Sequence, residues 1–536
     1  MAESGLSKPP PSGDHEPAPK PKRYWWRFSL GSVIIVIAVA AATSASILLY
    51  IGSIATALSH HNIYNAKLHR YLSKVNGGAP ENILILGSDK RANLAEDPGR
   101  SDTTMLLRLD PDREAIAVMS IPRDLKVEIP GYGTDKFNAA YTVGGPKLTL
   151  QVVKELTGLQ INHVVNVDFL GFVRAVDAIG CVYTDVDRRY YHSNAGVPPS
   201  EQYSEINIKP GYQLLCGKKA LQYVRYRHTD TDIVRSARQQ DFLSSARERV
   251  PISKLVLGQN DLVDIFTKYT TSDISDTETM LQVLKLFVAS RNASIKEVHF
   301  PAELGPSYVY ASSEAIHEAV DKFLGIEASA GPLGELDEGR NEKSGKKKRK
   351  HHKAPKPHIA KPKPPGSDGL VPAREAGELE AKSVTRKVSA GFPVFFPTRL
   401  PSGAYYVESN SYEHVQDPRT YHLRDTDEER HGAYRMVVEW PLSDGIHYFG
   451  LQGIQGWSDP PILDSPSLTK TINGREYDIY VDGDRVSLVA WHRGNNSYWV
   501  ANDLLNTLSN DQMIGIARSA DVKVPNQKRR RGKAKR

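Results

Sequence analysis

ENILILGSDKR (Glu81–Arg91) is the stretch that decides the fold. An apolar run from Ile83 to Leu86 stops abruptly at Gly87-Ser88-Asp89. Unbroken hydrophobicity over the length of one strand is the pattern of a strand buried on both faces of an α/β sheet. Open α/β sheets hold their ligands at such strand ends. Gly87 lets a ligand approach the backbone, and Asp89 and Arg91 set opposite charges at one rim.

Two more strands lie just downstream. RSDTTMLLRLD (Arg100–Asp110) places Asp102 at the mouth of an apolar strand over Thr104 to Leu109. Ala115 to Ile121 predicts a third, which runs straight into Pro122-Arg123-Asp124. Three strands thus carry Asp89, Asp102 and Arg123 at or beside their ends. From Lys136 the pattern turns helical, with Pro146 suited to a first turn and Gly158 to the stop. Ile161 to Val167 predicts a further strand. Phe169, Phe172, Val173, Val176 and Ile179 then recur at helical spacing. Their stripe fits a core face; alternatively, Phe169, Phe172, Val173 and Val176 line a slot for a hydrocarbon chain. Helices are also expected over Asp241 to Val250, Thr279 to Ser290 and Ser313 to Leu324.

LQYVRYRHTDTDIVRSARQQ (Leu221–Gln240) concentrates Arg225, Arg227, Arg235 and Arg238, with Asp230, Asp232 and Gln239 able to hold them. Read as a strand, Leu221, Tyr223, Arg225 and Arg227 share one parity, so both leading arginines project from one face. Guanidinium forks grip phosphate or carboxylate in pairs, and two side by side suit an anion of more than one charge. The alternative is an ion-pair network with the nearby aspartates. Asp232, Arg235 and Gln239 follow at helical spacing. Arg238 and His228 acquire no role. Nearby, Gly211 to Lys219 only superficially resembles a phosphate loop: five residues separate its glycines and no Ser or Thr follows the lysine.

The 536 residues carry a net charge of +7, and the excess sits in low-complexity pieces. Residues 1–28 are expected to be a disordered cytoplasmic tail. Residues 29–58 contain an apolar run without charge, longer than the roughly 20 residues that span a bilayer. Trp25 and Trp26 suit an interfacial belt, and Lys20, Lys22, Arg23 and Arg27 predict a cytoplasmic N-terminus. A cleaved signal peptide is the competing reading, given Ala55-Thr56-Ala57, although signal cores run only about 7–15 residues. An uncleaved anchor places the rest outside the cytoplasm. Cys181 and Cys216 are the only cysteines; they fit one disulfide in an oxidising compartment, with two free thiols as the alternative.

A catalytic domain is expected over 78–325. A Pro/Lys-rich, disordered basic linker follows over 326–386. A nuclear signal or nucleic-acid arm is the competing reading of its lysine run, but the topology puts it outside the cell, so nucleic acid is not an expected partner. A smaller α+β domain is expected over 388–524, with an Asn473-Gly474 hairpin turn and a Ser509/Gln512 capping box. Residues 525–536 form a basic tail.

Two aspartates near each other at strand ends are hard oxygen ligands of the kind Mg²⁺ prefers, or Mn²⁺ in its place. Arginines facing them neutralise a diphosphate and the charge moving onto a leaving group. Beside a membrane, this set predicts phosphotransfer from a lipid-linked diphosphate.

Residues of about 80 to 250 resemble the LytR-CpsA-Psr family of bacterial cell-envelope proteins. The resemblance rests on NILILGSDKR, RSDTTMLLRLD, SIPRDLKVEIPGYGTDKFNAAY, NVDFLGFVRAVDAIG and GYQLLCGKKALQYVRYRHTDTDIVRSARQQ, in the family's order and spacing. It implies a three-layer α/β/α catalytic domain behind a single N-in membrane helix. It also implies transfer of a glycopolymer from a polyprenyl diphosphate carrier to peptidoglycan, with membrane lipid alongside. By position, Asp89 and Asp102 match the Mg²⁺-holding acids. Arg91, Arg123, Arg225 and Arg227 match the diphosphate-binding arginines, and Asp232, Arg235 and Gln239 match the acid, arginine and glutamine that follow. Arg100 lies in a matched motif as a further substrate contact. A cysteine pair occurs in some members, which supports a Cys181–Cys216 disulfide. The C-terminal region has no counterpart in the resemblance. A protein that holds polyprenyl phosphates or wall polymer without turnover is the competing function; only the enzyme needs acids as well as arginines.

Overall fold

Ile83 and Ile85 point to one face of their strand, Leu84 and Leu86 to the other, so a sheet built on this strand must be covered twice. The computed structural model describes residues 66–326 and 368–525, apart from 75–77, 89–100, 114, 199–201, 203, 227–229, 250–264, 266–267, 275–278, 280–281, 284–285, 287–293 and 408–418. The expected membrane segment, 29–58, lies outside the described residues. Among the described residues, no helix is long and apolar enough to cross a membrane.

The first six strands to matter are β1 (Glu81–Ser88), β2 (Ser101–Asp110), β3 (Ala115–Ser120), β4 (His163–Asp168), β5 (Val182–Val186) and β6 (Gly211–Leu215). With β7 (Thr270–Ser272) and β8 (Ser294–Val298), β1 to β4 form a six-stranded mixed sheet in the order β7-β4-β1-β2-β3-β8. β1 runs antiparallel to β2 and parallel to β4. Leu84, Leu86, Leu106, Ala117 and Met119 face one core, closed by helix α1 (Ala139–Thr157) and by residues of Ser313–Leu324. Ile83, Met105, Ile116 and Val118 face the other, where Leu243, Val283 and Leu286 cover them. Helical side chains therefore close both faces.

Within α1, Gly145 takes φ 62 and ψ −158, which splits the helix just before Pro146. The proline thus opens a fresh helical segment, the position its missing N–H tolerates. Gly158 stops the helix in the left-handed conformation.

α2 (Phe169–Ala178), α3 (Gly217–Arg225) and α4 (Asp232–Arg249) gather around the β5–β6 hairpin. A disulfide joins Cys181, before β5, to Cys216, after β6. The strand expected over Leu221 to Arg227 is a helix as far as Arg225. Ala220, Tyr223 and Val224 are its buried face, and this i, i+3, i+4 recurrence outweighs the shared parity of Leu221, Tyr223 and Arg225.

The expected linker ends early. Leu370–Pro372 is a strand and Arg374–Thr385 is helix α5. Ala381 and Val384 on that helix are fully buried, so an Ala/Glu/Lys-rich run that reads as solvated carries a core-facing edge. The second domain is built on a sheet of eight strands. They are β9 (Tyr405–Tyr406), β10 (Arg419–Arg424), β11 (Arg430–Leu442), β12 (Gly445–Ile454), β13 (Leu468–Ile472), β14 (Arg475–Asp482), β15 (Arg485–Arg493) and β16 (Asn496–Ala501). Asn473 and Gly474 both have positive φ in the β13–β14 turn, as a primed hairpin turn requires. Ser509 and Gln512 form the capping box of helix α6 (Asn510–Ser519). Ile54–Arg536 is one compact unit. Across it, Tyr183 and Tyr212 of the β5–β6 hairpin share a buried cluster with Trp457 and Trp499 of the second domain.

Candidate functional site

The site grows from the register of β1. Gly87 lies opposite Thr103 and Ser88 opposite Ser101, with the register shifting between Gly87 and Ser88. On the other side Ser88 pairs Asp168. A Cβ on Gly87 would sit 3.0 Å from the Thr103 Cβ, so the glycine permits this close strand crossing. β3 runs antiparallel to β2 and ends at Ser120, which leads to Pro122-Arg123. One edge of the sheet therefore gathers the end of β1, the start of β2 with Asp102, the exit of β3 toward Arg123, and Asp168-Phe169. Asp89, Arg91 and Arg100 fall within 89–100 and lie outside the described residues, as do Arg227 and His228. They adjoin this edge in sequence.

Asp232 is the fastener of the edge. One of its oxygens accepts hydrogen bonds from the backbone N–H of Arg123 at 2.7 Å and of Asp124 at 3.4 Å. The other lies 3.4 Å from Arg123 Nε and 2.5 Å from Arg235 Nη2. With its side chain only 7% exposed, Asp232 orients Arg123 and Arg235 from behind. Gln239 is buried as well, donating to Thr103 Oγ1 at 3.0 Å and to the Val224 carbonyl at 3.1 Å. It ties the start of β2 to the last turn of α3.

That turn ends in Arg225, an exposed residue whose guanidinium stacks 3.9 Å from the ring centroid of Phe169. Its place at a helix C-terminus suits a cation, and the ring contact adds about 1 kcal/mol of attraction. Asp168 caps α2 by accepting from the Gly171 N–H at 2.6 Å. Burial pushes its carboxyl above the usual carboxylate range. Of the four residues offered for a hydrocarbon slot, Phe169 and Val173 are half-buried beside this edge. Val176 is fully packed in the core with Phe172 against it, the Phe172 and Phe242 rings 5.8 Å apart. Val176 therefore sits where the core-face alternative puts it.

Two residues without a role in the sequence reading, Arg238 and Arg188, hold the arginine stretch together with Asp230. Arg238 is completely buried and donates to the Tyr223 and Tyr226 carbonyls at 3.1 and 2.8 Å. Arg238 and Arg188 both pair with the Asp230 carboxylate. The usable signal was Asp230 itself, an acid among four arginines; the signal for Arg188, 42 residues upstream, was not visible locally. Among the described residues, the side-chain groups whose spacing could hold a metal ion are Asp177 with the disulfide sulfurs, and Asp425 with Glu429 and His431. Neither belongs to this edge.

A family model, the LytR_cpsA_psr family, matches residues 47–326. A polyisoprenyl-teichoic acid–peptidoglycan teichoic acid transferase, TagU, of Oceanobacillus iheyensis is 32% identical over 255 residues, covering 46% of this chain and 75% of the relative. A probable cell wall biosynthesis protein, LcpB, of Corynebacterium glutamicum is 37% identical over 186 residues, or 32% of this chain and 42% of the relative. A solved structure of the family protein YwtF (TagT) with bound octaprenyl pyrophosphate lipid aligns at 22% identity and a TM-score of 0.35, over 47% of this chain and 92% of that one. The likeness is too distant to carry an argument. Residues 368–525 lie beyond the family match.

Proposed function

The chain belongs to the LytR-CpsA-Psr family, and on that premise we propose that it is a membrane-anchored phosphotransferase of the bacterial envelope, its catalytic domain on the outer side. It moves a glycopolymer from a polyprenyl diphosphate carrier onto peptidoglycan or a related wall acceptor. The observation that carries this reading is the single sheet edge holding Asp102 on β2, Arg123 locked by Asp232, and Arg225 stacked on Phe169. The TagU relative, named for teichoic acid transfer to peptidoglycan, supports the reaction class.

In this reaction a wall hydroxyl attacks the phosphorus that bears the glycan. An acceptor O–P bond forms and the bridging P–O bond breaks. The glycan phosphate passes to the wall, polyprenyl monophosphate leaves, and the hydroxyl proton ends on the released phosphate or solvent. Arg123, Arg225 and Arg227, with Arg91 and Arg100, bind the diphosphate and offset the charge that grows on the leaving phosphate. Asp232, Arg235 and Gln239 hold those groups in place, and a site oriented before substrate arrives loses less of its binding energy to ordering. Asp102, at the start of β2, and Asp89, next in sequence after Ser88, have the oxygen chemistry that suits Mg²⁺ or Mn²⁺; such an ion would supply further charge neutralisation at the diphosphate. Phe169 and Val173 offer apolar surface for the first units of the lipid.

The test is release of polyprenyl monophosphate from a synthetic lipid-linked diphosphate oligosaccharide, in the presence of a peptidoglycan acceptor and Mg²⁺. Acceptor-dependent release is the expected result. Tight lipid binding with no turnover in any divalent metal would assign the chain instead to polyprenyl-phosphate or wall-polymer binding in envelope assembly.

A further inference from the structure

The second domain is joined to the candidate site by two paths of packed, buried and half-buried residues. The first begins at Asp185 on β5. Its Oδ2 accepts from Arg435 Nη1 on β11 at 3.0 Å and from Trp499 Nε1 on β16 at 2.9 Å. Arg435 is fully buried, so the pair sits in the interface proper, where removing one partner strands a charge. Around it Tyr183 OH donates to the Arg424 carbonyl at 2.7 Å and Tyr421 OH to the Tyr212 carbonyl at 3.0 Å. The rings of Tyr212 and Trp499 meet edge to face at 5.4 Å. Gly211, at φ +104, admits the Tyr421 hydroxyl, which a Cβ there would meet at 2.6 Å. The hairpin gripped in this way is closed at its base by Cys181–Cys216, and Cys216 is the residue from which α3 starts. Arg225 is the last residue of α3.

The second path starts at Tyr448 on β12. The Arg188 guanidinium carbon lies 4.9 Å from the Tyr448 ring centroid, 4.6 Å from Tyr190 and 5.6 Å from Tyr226. Arg188 follows β5 by two residues and is 5% exposed. It pairs with Asp230, which Arg238 grips from the other side. Arg238 also holds the carbonyls of Tyr223 and Tyr226. One path therefore ends at Arg225 and the other at Asp230, both within the arginine stretch.

We propose that the C-terminal domain is a positioning element for the transferase site: Tyr448, acting through Arg188 and Asp230, and Asp185, acting through the disulfide-closed hairpin and α3, together fix the backbone that presents Arg225 and its neighbours. The proposal rests on the phosphotransferase reading for its kinetic consequence, not for its structural one. Desolvated stacking of a guanidinium on an aromatic ring is worth about 2 kcal/mol. If that contact is spent on orienting the arginines, its loss falls on the chemical step, since misplaced charge costs rate more than affinity.

The experiment compares the full chain with Tyr448→Ala and Tyr448→Phe. Tyr448→Ala should lower kcat about 10- to 30-fold, the range that corresponds to this contact, with KM for the lipid donor changed less than about threefold. Tyr448→Phe, which keeps the ring, should restore kcat to within about twofold of wild type. Hydrogen exchange over 221–232 should speed up in Tyr448→Ala while the β1–β3 amides stay protected. An unchanged kcat with unchanged exchange over 221–232 would overturn the proposal, as would a Tyr448→Phe loss equal to that of Tyr448→Ala. If the wild type transfers nothing, the functional reading fails by itself, and the exchange comparison still decides the positioning claim.

Discussion

Gln239 Nε2 donates to Thr103 Oγ1 at 3.0 Å and to the Val224 carbonyl at 3.1 Å. The two acceptors adjoin Asp102 and Arg225, so one buried amide sets the separation of an acid and an arginine that are 123 positions apart in the chain (225 − 102). Replacing Gln239 by Leu leaves both acceptors without this donor. The expected cost is about 1–3 kcal/mol of folding stability, read by urea denaturation, with a further drop in kcat. A stable Gln239→Leu protein with unaltered kcat would remove Gln239 from the site.

The Cys181–Cys216 disulfide closes a loop of 35 residues. Chain entropy alone assigns such a loop about 4 kcal/mol. Reduction, or the double change Cys181→Ser with Cys216→Ser, should lower the thermal midpoint, and neither cysteine should react with iodoacetamide before reduction. Rapid labelling of both in native protein would contradict the bond.

His163 gives the protein an alkaline limit. It lies between Asp273, 2.8 Å from Nδ1, and Glu81, 3.3 Å from Nε2. Burial opposes its charge, yet the two carboxylates outweigh burial and raise its pKa to about 9. The unfolded value is about 6.5, so the raised native value adds stability that is complete below 6.5 and vanishes as pH rises through 9. The difference is on the order of 3 kcal/mol. Denaturation midpoints at pH 6.5 and 9.5 should differ in the wild type and differ much less in His163→Gln.

Asp241 on α4 sets a second dependence of the same sign. Burial raises its carboxyl to about 7, with Asp185, Asp187 and Asp482 adding repulsion. Arg238, which faces it, opposes them. Asp482, itself raised to about 6 chiefly by burial, accepts from the Glu297 N–H at 3.3 Å. A raised carboxyl pKa stabilises the fold below the unfolded value and ceases to do so as pH climbs through the native one. Asp241→Asn should therefore raise the melting temperature at pH 8 relative to wild type, give a clearly smaller gain at pH 5, and give none below about pH 4, where both states are protonated. Equal changes at pH 8 and pH 5 would point to packing in place of charge.

The sheet was readable because its strands are short apolar runs ending in charge. Ile83 and Leu84 had to face two cores, and they do. Asp232, Arg235 and Gln239 were readable as a helical set because i, i+3, i+7 is a local signal. α3 was misread as a strand because Leu221, Tyr223 and Arg225 alternate by chance, while its buried face, Ala220, Tyr223 and Val224, has helical spacing. The α5 helix at Arg374–Thr385 hid at the end of a Pro/Lys-rich run whose composition reads as linker. Arg188 and Tyr448 could not be found at all. Their partners, Asp230 and Arg188, are brought together by tertiary packing across 42 and 260 positions (230 − 188; 448 − 188), and no local period records such a pairing.

In the proposed reaction, the edge shared by Asp102, Arg123 and Arg225 transfers a glycan phosphate. The most direct measurement is the single-turnover rate of glycan-phosphate transfer from a lipid-linked donor by wild type, Arg225→Ala and Arg225→Lys, each matched for thermal midpoint and saturated with donor and Mg²⁺. Loss of a group that stabilises developing charge costs about 100- to 1000-fold, so Arg225→Ala should fall by that order, and Arg225→Lys, a point charge without the planar fork, should recover only part of it. Equal rates for wild type and Arg225→Ala at saturating donor would contradict the account.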